Sequence, residues 1–215
     1  MRVVDLTQLI SEDMPVFPGT EQPKLQEANT IEVDGFRETL LIMYSHTGTH
    51  MDTPGHIIEG ATTLDEMPAG NFVGKAVVVD CTDLKGDNAL IDMSYINKNR
   101  KKIDEAEFIL FNTGWNKKWG TPDYFGRFPV IDSEVTDYLI ENNKKGLGVD
   151  VISIEPIDAS DLPVHHRVLG KEMVIVENLM NLELLGDDLF TFCALPLKFK
   201  NSDGAPVRAI AILED

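Results

Sequence analysis

The five histidines of this 215-residue chain fall in two short stretches and nowhere else. His46, His50 and His56 stand in SHTGTHMDTPGHI, and His165 and His166 are adjacent in DLPVHHRVLG. A lone histidine is more often a packing or surface residue than a ligand. A cluster with a carboxylate inside it, Asp52, is a donor set. Divalent metals such as Zn²⁺ take imidazole nitrogen and carboxylate oxygen at ~2.0–2.2 Å. His46, His50 and Asp52 offer three such groups within seven residues. His56 is either a fourth ligand, which would close a structural site, or an acid/base standing just outside the coordination sphere. Beyond the second stretch, Glu177 ends the apolar run MVIVE, where an unpaired carboxylate is costly to bury. Asp150, Glu155, Asp158 and Asp161 compete with it on spacing alone.

The backbone must bring these groups together. A helix would suit the i,i+4 pair His46/His50, but Thr47, Gly48 and Thr49 are poor helix formers and Pro54 would break any helix continuing past them. A straight strand, at ~3.3 Å per residue, would hold the two histidines about 13 Å apart. The chain therefore bends between them, and Gly48 bends most cheaply. The expected arrangement is a strand over Thr39–Tyr44 leading into a tight loop that folds the three ligands round one ion.

Clusters of β-branched and apolar residues predict further strands at Lys75–Asp80, Phe108–Asn112, Val149–Ile154, Met173–Val176, Leu189–Leu195 and Val207–Leu213. The clearest helix starts at Asp132 or Ser133, buries Val135, Leu139 and Ile140, places Lys144 and Lys145 at its end and stops at Gly146. Others are expected at Met93–Lys101 and Leu179–Leu185. The first forty residues show no long periodic element, and MPVFPGTEQP reads as loop. Strands outnumber helices without regular alternation, so the fold class is α/β with a mixed sheet, or two sheets, and few covering helices. With no repeat or linker-like stretch, residues 1–215 read as a single domain.

Composition narrows the function. The chain carries 36 acidic against 19 basic side chains, a formal charge of −17. That excess excludes nucleic acid as a partner and disfavours an anionic membrane surface. No apolar run approaches the ~18 residues of a membrane span, and MRVVDLTQLI lacks the apolar stretch of a secretory leader. Cys81 and Cys193 each sit in an apolar run and read as buried free thiols. A reducing cytoplasm fits this usage.

The segment His46-Thr-Gly-Thr-His50-Met-Asp52-Thr-Pro-Gly-His56 resembles the H-x-G-T-H-x-D-x-P-x-H signature of the metal-dependent cyclase family, which includes bacterial kynurenine formamidases and isatin hydrolases. Further segments match in the same order. Asp5-Leu6-Thr7 through Pro15–Gly19 resembles the family's N-terminal loop, and Asn112-Thr113-Gly114-Trp115 its T-G-W segment. Leu162–His166 and Val176–Leu179 resemble its second metal segment, and Pro196-Leu197 with Gly204–Ala209 its C-terminal hairpin.

The resemblance implies a swivelling β/β/α fold, assembled as homodimers or homotetramers and acting on a small molecule. It makes His46, His50 and Asp52 metal ligands and His56 the proton donor/acceptor. For the formamidase branch it implies a second metal, bridged by Asp52 and held by His165 and Glu177. Their separation, 177 − 165 = 12, matches that branch and sets His165 ahead of His166. The donors suit two Zn²⁺ per subunit and also accept Mn²⁺. Where formamidases carry a substrate-stacking tryptophan, this sequence has Phe17, which stacks with less area and no indole N–H. The activity expected is hydrolysis of a C–N amide bond by metal-activated water, in an aryl formamide such as N-formyl-L-kynurenine. Alternatives are an isatin-like lactam, another small amide or ester, a non-catalytic metal-binding protein, or an interaction module without metal.

Overall fold

Side chains alternate between the two faces of a strand, and that alternation organises this chain round two apolar layers. The computed structural model describes residues 1–214. Its strands are β1 (Arg2–Asp5), β2 (Lys24–Asn29), β3 (Glu38–Ile42), β4 (His50–Asp52), β5 (Val73–Asp80), β6 (Leu90–Ile91), β7 (Phe108–Asn112), β8 (Val130–Ile131), β9 (Gly146–Val149), β10 (Val174–Glu177), β11 (Phe190–Pro196) and β12 (Gly204–Leu213). Its α-helices are α1 (Ile31–Asp34), α2 (Met93–Lys98), α3 (Arg100–Glu105), α4 (Ser133–Glu141) and α5 (Pro163–Leu169).

Eight strands form one sheet in the order β1-β12-β11-β5-β7-β9-β10-β4. Strand β4 pairs again with β12, so the sheet from β12 round to β4 closes into a barrel. Strands β5, β7, β9 and β10 run parallel, whereas β4, β11 and β12 are antiparallel to their neighbours. The sheet is therefore mixed, as expected.

Ala76, Val78, Phe108, Leu110, Val174 and Val176 fill the barrel together with Phe192, Ala209 and Ala211. Their strand neighbours Val77, Val79, Ile109, Phe111 and Ile175 face outward, where α2 to α5 cover them with Ile96, Ile103, Leu139 and Val168. Central strands apolar on both faces are what a parallel sheet covered on both sides requires.

Several boundaries differ from the sequence reading for identifiable reasons. The strand expected at Val149–Ile154 lies instead at Gly146–Val149. Its Gly146 and Gly148 look like breakers, but a Cβ at either would come within 2.6 Å of Val174 or of Leu110 and Leu179, so the packed barrel demands glycine there. Helix α4 is capped by the Asp132 carboxylate, which accepts the Glu134 N–H. It ends before Gly146, which starts β9 instead. Lys144 does not serve α4: buried, its ammonium donates to the carbonyls of Ile103, Asp104 and Ala106 at the end of α3. The helix expected at Met93–Lys101 is two, with Asn99 between α2 and α3. Only Leu182–Leu184, within the span Leu179–Leu185, is helical, and it is 3₁₀.

Strands β2 and β3 pair with each other and with no other strand among the described residues. With α1 they leave Ile31, Val33, Phe36, Leu40, Leu41 and Ile42 exposed. No helix among the described residues is long and apolar enough to cross a membrane.

Candidate metal centre

The site forms on the outer face of the barrel, where β12, β4 and β10 lie side by side. In β4, Met51 points into the barrel core, so His50 and Asp52 point to the opposite face. Antiparallel register sets Glu177 across from His50, which places their side chains on one face. The same rule sets Gly204 of β12 across from Asp52. His50 and Asp52 thus belong to a barrel strand, not to a loop carried by Thr39–Tyr44; the strand there, β3, is part of the outlying hairpin. The bend at Gly48 is present, in the left-handed region at φ 66°. It returns His46 over the backbone of Gly204.

The donors converge. His46 Nδ1 lies 2.6 Å from Asp52 Oδ1, and His50 Nε2 lies 3.3 Å from the same oxygen. Glu177 stands 3.5 Å from His50 Nε2 through Oε2 and 3.5 Å from His165 Nε2 through Oε1. Tetrahedral coordination with ~2.0–2.1 Å bonds spaces its donors about 3.3–3.5 Å apart, so the three longer separations match a coordination shell. Two groups of donors lie within 4.8 Å of one another: His46, Asp52 and His56, and His50, Asp52 and Glu177. Asp52 belongs to both. Imidazole nitrogen with carboxylate oxygen is a fitting donor set for a divalent cation.

The rings are held from behind. His50 Nδ1 lies 2.9 Å from the Gly48 carbonyl, which accepts its proton. The Asn178 amide also donates to that carbonyl at 2.8 Å and accepts from the Tyr124 hydroxyl at 2.6 Å. Asp203 stands 3.0 Å from His46 Nε2 and 3.9 Å from His56 Nδ1. The His56 ring lies 4.0 Å from His46, centroid to centroid.

Charge within the cluster is balanced by protons. Burial disfavours a charged His46, but Asp52 and Asp203 outweigh it and push its pKa up to about 10. Burial likewise opposes His165, and Glu155 with Glu177 carries it to about 10. The buried Asp52 is kept ionised by His46 and His50. Burial and the neighbouring His46 and His165 bring His56 down to about 4, so its ring is neutral at pH 7. Burial, then Asp52, raises Glu177. Burial also opposes a charged His50, and Asp52 raises its pKa against that cost. Imidazolium protons therefore sit where cations belong, and ligand deprotonation must accompany metal binding.

A cavity of about 380 Å³ opens over these groups, with Phe17, Tyr44, Ile152 and Leu162 among its walls. His46, His50, Asp52, His56, His165, Glu177 and Phe17 all line it. His166 does not, being exposed on α5 while His165 is buried, and neither do Asp150, Glu155, Asp158 or Asp161. Asp158 and Asp161 are exposed. Asp150 is buried, accepting from Thr113 and Gly114, and burial pushes it up to about 6. Asp203, Ser153 and Leu162 line the cavity without having been anticipated. Nothing in the sequence sets Asp203 apart from the other acids; it enters the site because it directly precedes the Gly-Ala-Pro segment that pairs with β4. Cys81 is buried and Cys193 half-buried, both free.

A mixed barrel bearing an imidazole–carboxylate cluster on one face defines the class, a metal-dependent hydrolase. The chain belongs to the cyclase family, whose model matches residues 4–156. It is 32% identical over 214 residues to an uncharacterized protein of Methanocaldococcus jannaschii, covering 99% of this chain and 100% of that one. It is 28% identical over 209 residues to the kynurenine formamidase of Bacillus thuringiensis, covering 96% of this chain and 95% of the relative. Isatin hydrolase A from Labrenzia aggregata, solved with benzyl benzoate bound, superposes with a TM-score of 0.89 at 28% identity, covering 98% of this chain and 93% of that one.

Proposed function

We propose that this protein hydrolyses the C–N amide bond of a small aryl formamide, with N-formyl-L-kynurenine the favoured substrate. The observation that carries the proposal is the convergence of His46, His50, Asp52, His165 and Glu177 on one cavity, with His56 beside them. His46, His50 and Asp52 would hold one divalent ion, and Asp52, His165 and Glu177 a second. This division differs from the two close donor groups, in which His56 joins His46 and Asp52 while Glu177 joins His50 and Asp52. Zn²⁺ suits these donors, and Mn²⁺ is accepted. A bound ion supplies Lewis acidity toward the carbonyl and lowers the pKa of water toward ~7.

The chain's own residues then move the proton. His56 is neutral, lies at the cavity and is not needed to complete the five-ligand set. It takes a proton from the attacking water and returns it to the departing nitrogen as the C–N bond breaks and a C–O bond forms. Phe17 is 44% exposed and lines the same cavity, where it can stack on an aryl substrate. An isatin-like lactam is the second reading, favoured by the structural likeness to isatin hydrolase A and by Phe17 in place of tryptophan.

We read residues 1–215 as one domain, supported by the pairing of β1 with β12, which ties the two ends together. A homodimer or homotetramer is supported by the exposed apolar residues of the β2–β3 hairpin. A cytoplasmic location is consistent with two free cysteines. Turnover of a panel of aryl formamides, lactams and esters, before and after chelation, tests the function. Chelator-sensitive cleavage of the formamides is expected, and cleavage of esters alone would reject the amide assignment.

A further inference from the structure

Glu155 is a buried acid for which the proposed reaction has no use. It is 2% exposed and makes no ion pair with a lysine or arginine among the described residues. Burying such a carboxylate is costly unless its oxygens are occupied. Here they are: one accepts the Val164 N–H at 2.9 Å, and the other accepts the His165 N–H at 3.2 Å and lies 2.5 Å from His165 Nδ1. The chain reaches this arrangement through Leu162, held at φ 44°, ψ 49°. A leucine seldom adopts that left-handed conformation, so the first turn of α5 is bent onto the carboxylate at some cost in strain.

A neutral imidazole carries its proton on one nitrogen and a lone pair on the other. In the neutral, ligating ring of His165 the proton stays on Nδ1 beside Glu155, so the lone pair lies on Nε2, the atom facing Glu177 at 3.5 Å. A carboxylate behind a ligating histidine also raises the basicity of the nitrogen in front. Among the candidate ligands only His165 has such a buried acid. His50 has the Gly48 carbonyl, and the Asp203 carboxylate beside His46 is 43% exposed. Occupied in this way, Glu155 is not itself a ligand.

We infer that Glu155 is a positioning residue that fixes the orientation and tautomer of His165 and thereby sets the affinity of the metal position shared by His165 and Glu177. This rests on the two-metal reading above. E155Q is the informative variant, because an amide has a single oxygen. Whichever way it turns, its NH₂ meets either the Val164 N–H or the donors of His165.

The test is Zn²⁺ binding by the purified metal-free protein in competition with a chromophoric chelator, for wild type, E155Q and H165A, alongside urea unfolding without metal. Two ions are expected in wild type and one in H165A. In E155Q one ion should bind about 10–100-fold more weakly, the range for loss of such a partner, with the other unchanged. Wild-type binding by E155Q overturns the inference, and so does an equal weakening of both ions accompanied by lost stability, which would mean Glu155 only supports α5. If E155Q does not fold, E155D, with its carboxylate retracted by one methylene, is read by the same criteria. If H165A retains as many ions as wild type, the two-metal reading fails and takes this inference with it. If H165A loses an ion and E155Q weakens none, the inference alone fails.

Discussion

Replacing Gly204 with alanine should drive His46 out of the site while leaving the barrel strands paired. Gly204 sits opposite Asp52 in the β12–β4 register. A Cβ there would lie 2.4 Å from His46 Cε1, 2.7 Å from Nε2 and 2.9 Å from Nδ1. Ordinary contact begins at 3.4 Å, so the ring must retreat by about 1.0 Å (3.4 − 2.4). A metal site tolerates only ~0.2 Å. The same retreat opens the 2.6 Å contact with Asp52 by up to 1.0 Å, to about 3.6 Å and beyond hydrogen-bond range when the ring moves directly away from the carboxylate. Overpacking costs roughly 1–3 kcal/mol, and a lost hydrogen bond to a charged group about 1.5–3 kcal/mol. If the ring escapes toward the cavity, relaxation offsets part of the first cost, leaving about 2–4 kcal/mol. Urea unfolding of the metal-free protein should register that loss, and chelator competition should show Zn²⁺ bound at least ~100-fold more weakly, the upper end of supporting-shell effects. Gly70→Ala is the control, since nothing lies within 4 Å of a Cβ there. A Gly204→Ala protein with wild-type stability and Zn²⁺ affinity would refute the placement of His46 over the β12 backbone.

Three further outcomes are expected. His56→Ala should retain its metal and lose on the order of 10²–10⁴-fold in kcat; parallel loss of metal would make His56 a ligand. Phe17→Ala should lower kcat/KM for an aryl formamide by the ~0.5–1.5 kcal/mol of an aromatic contact plus lost burial, and lower it much less for an aliphatic one. Equal losses on both substrates would mean that Phe17 only anchors its loop. Without metal, His46 and His165 titrate near 10 when folded and near 6.5 when unfolded. Their stabilising contribution is therefore complete below pH ~6.5 and lost as pH rises toward ~10. The urea midpoint should fall across that window, and a flat or rising midpoint would contradict the charge balance described.

The site was more legible in the sequence than the scaffold, for a physical reason. Histidine is scarce here and its chemistry is narrow, so clustering alone singled out the five histidines with Asp52, and Glu177 stood out as a carboxylate ending an apolar run. The resemblance then set His165 ahead of His166 and assigned it, with Glu177, to a second metal. What spacing could not convey was the route by which they meet. Glu177 reaches His50 through strand register across 127 residues (177 − 50), a long-range fact with no local trace. Strand β9 escaped notice because GLGV has poor strand propensity, although Phe108 and Leu110 leave room there only for glycine. Helix α5 is absent from the predicted helices: it has only seven residues and is entered through Leu162 in the left-handed region and Pro163, which set its first turn against Glu155. Asp203 was one acid among many until β12 paired with β4. By contrast, β5, β7 and the start of α4 carried their periodicity openly, and there the sequence reading differed from the structure by at most two residues, although α4 ends at Glu141 rather than at Lys145.

The central claim is that a divalent metal held by His46, His50, Asp52, His165 and Glu177 makes this chain an amide hydrolase. Its most direct test is titration of metal-free protein with Zn²⁺ while following cleavage of N-formyl-L-kynurenine and counting bound ions in the same samples. Turnover should be absent without metal, rise in step with occupancy and reach a plateau at two ions per chain. Full turnover by the metal-free protein would contradict the claim.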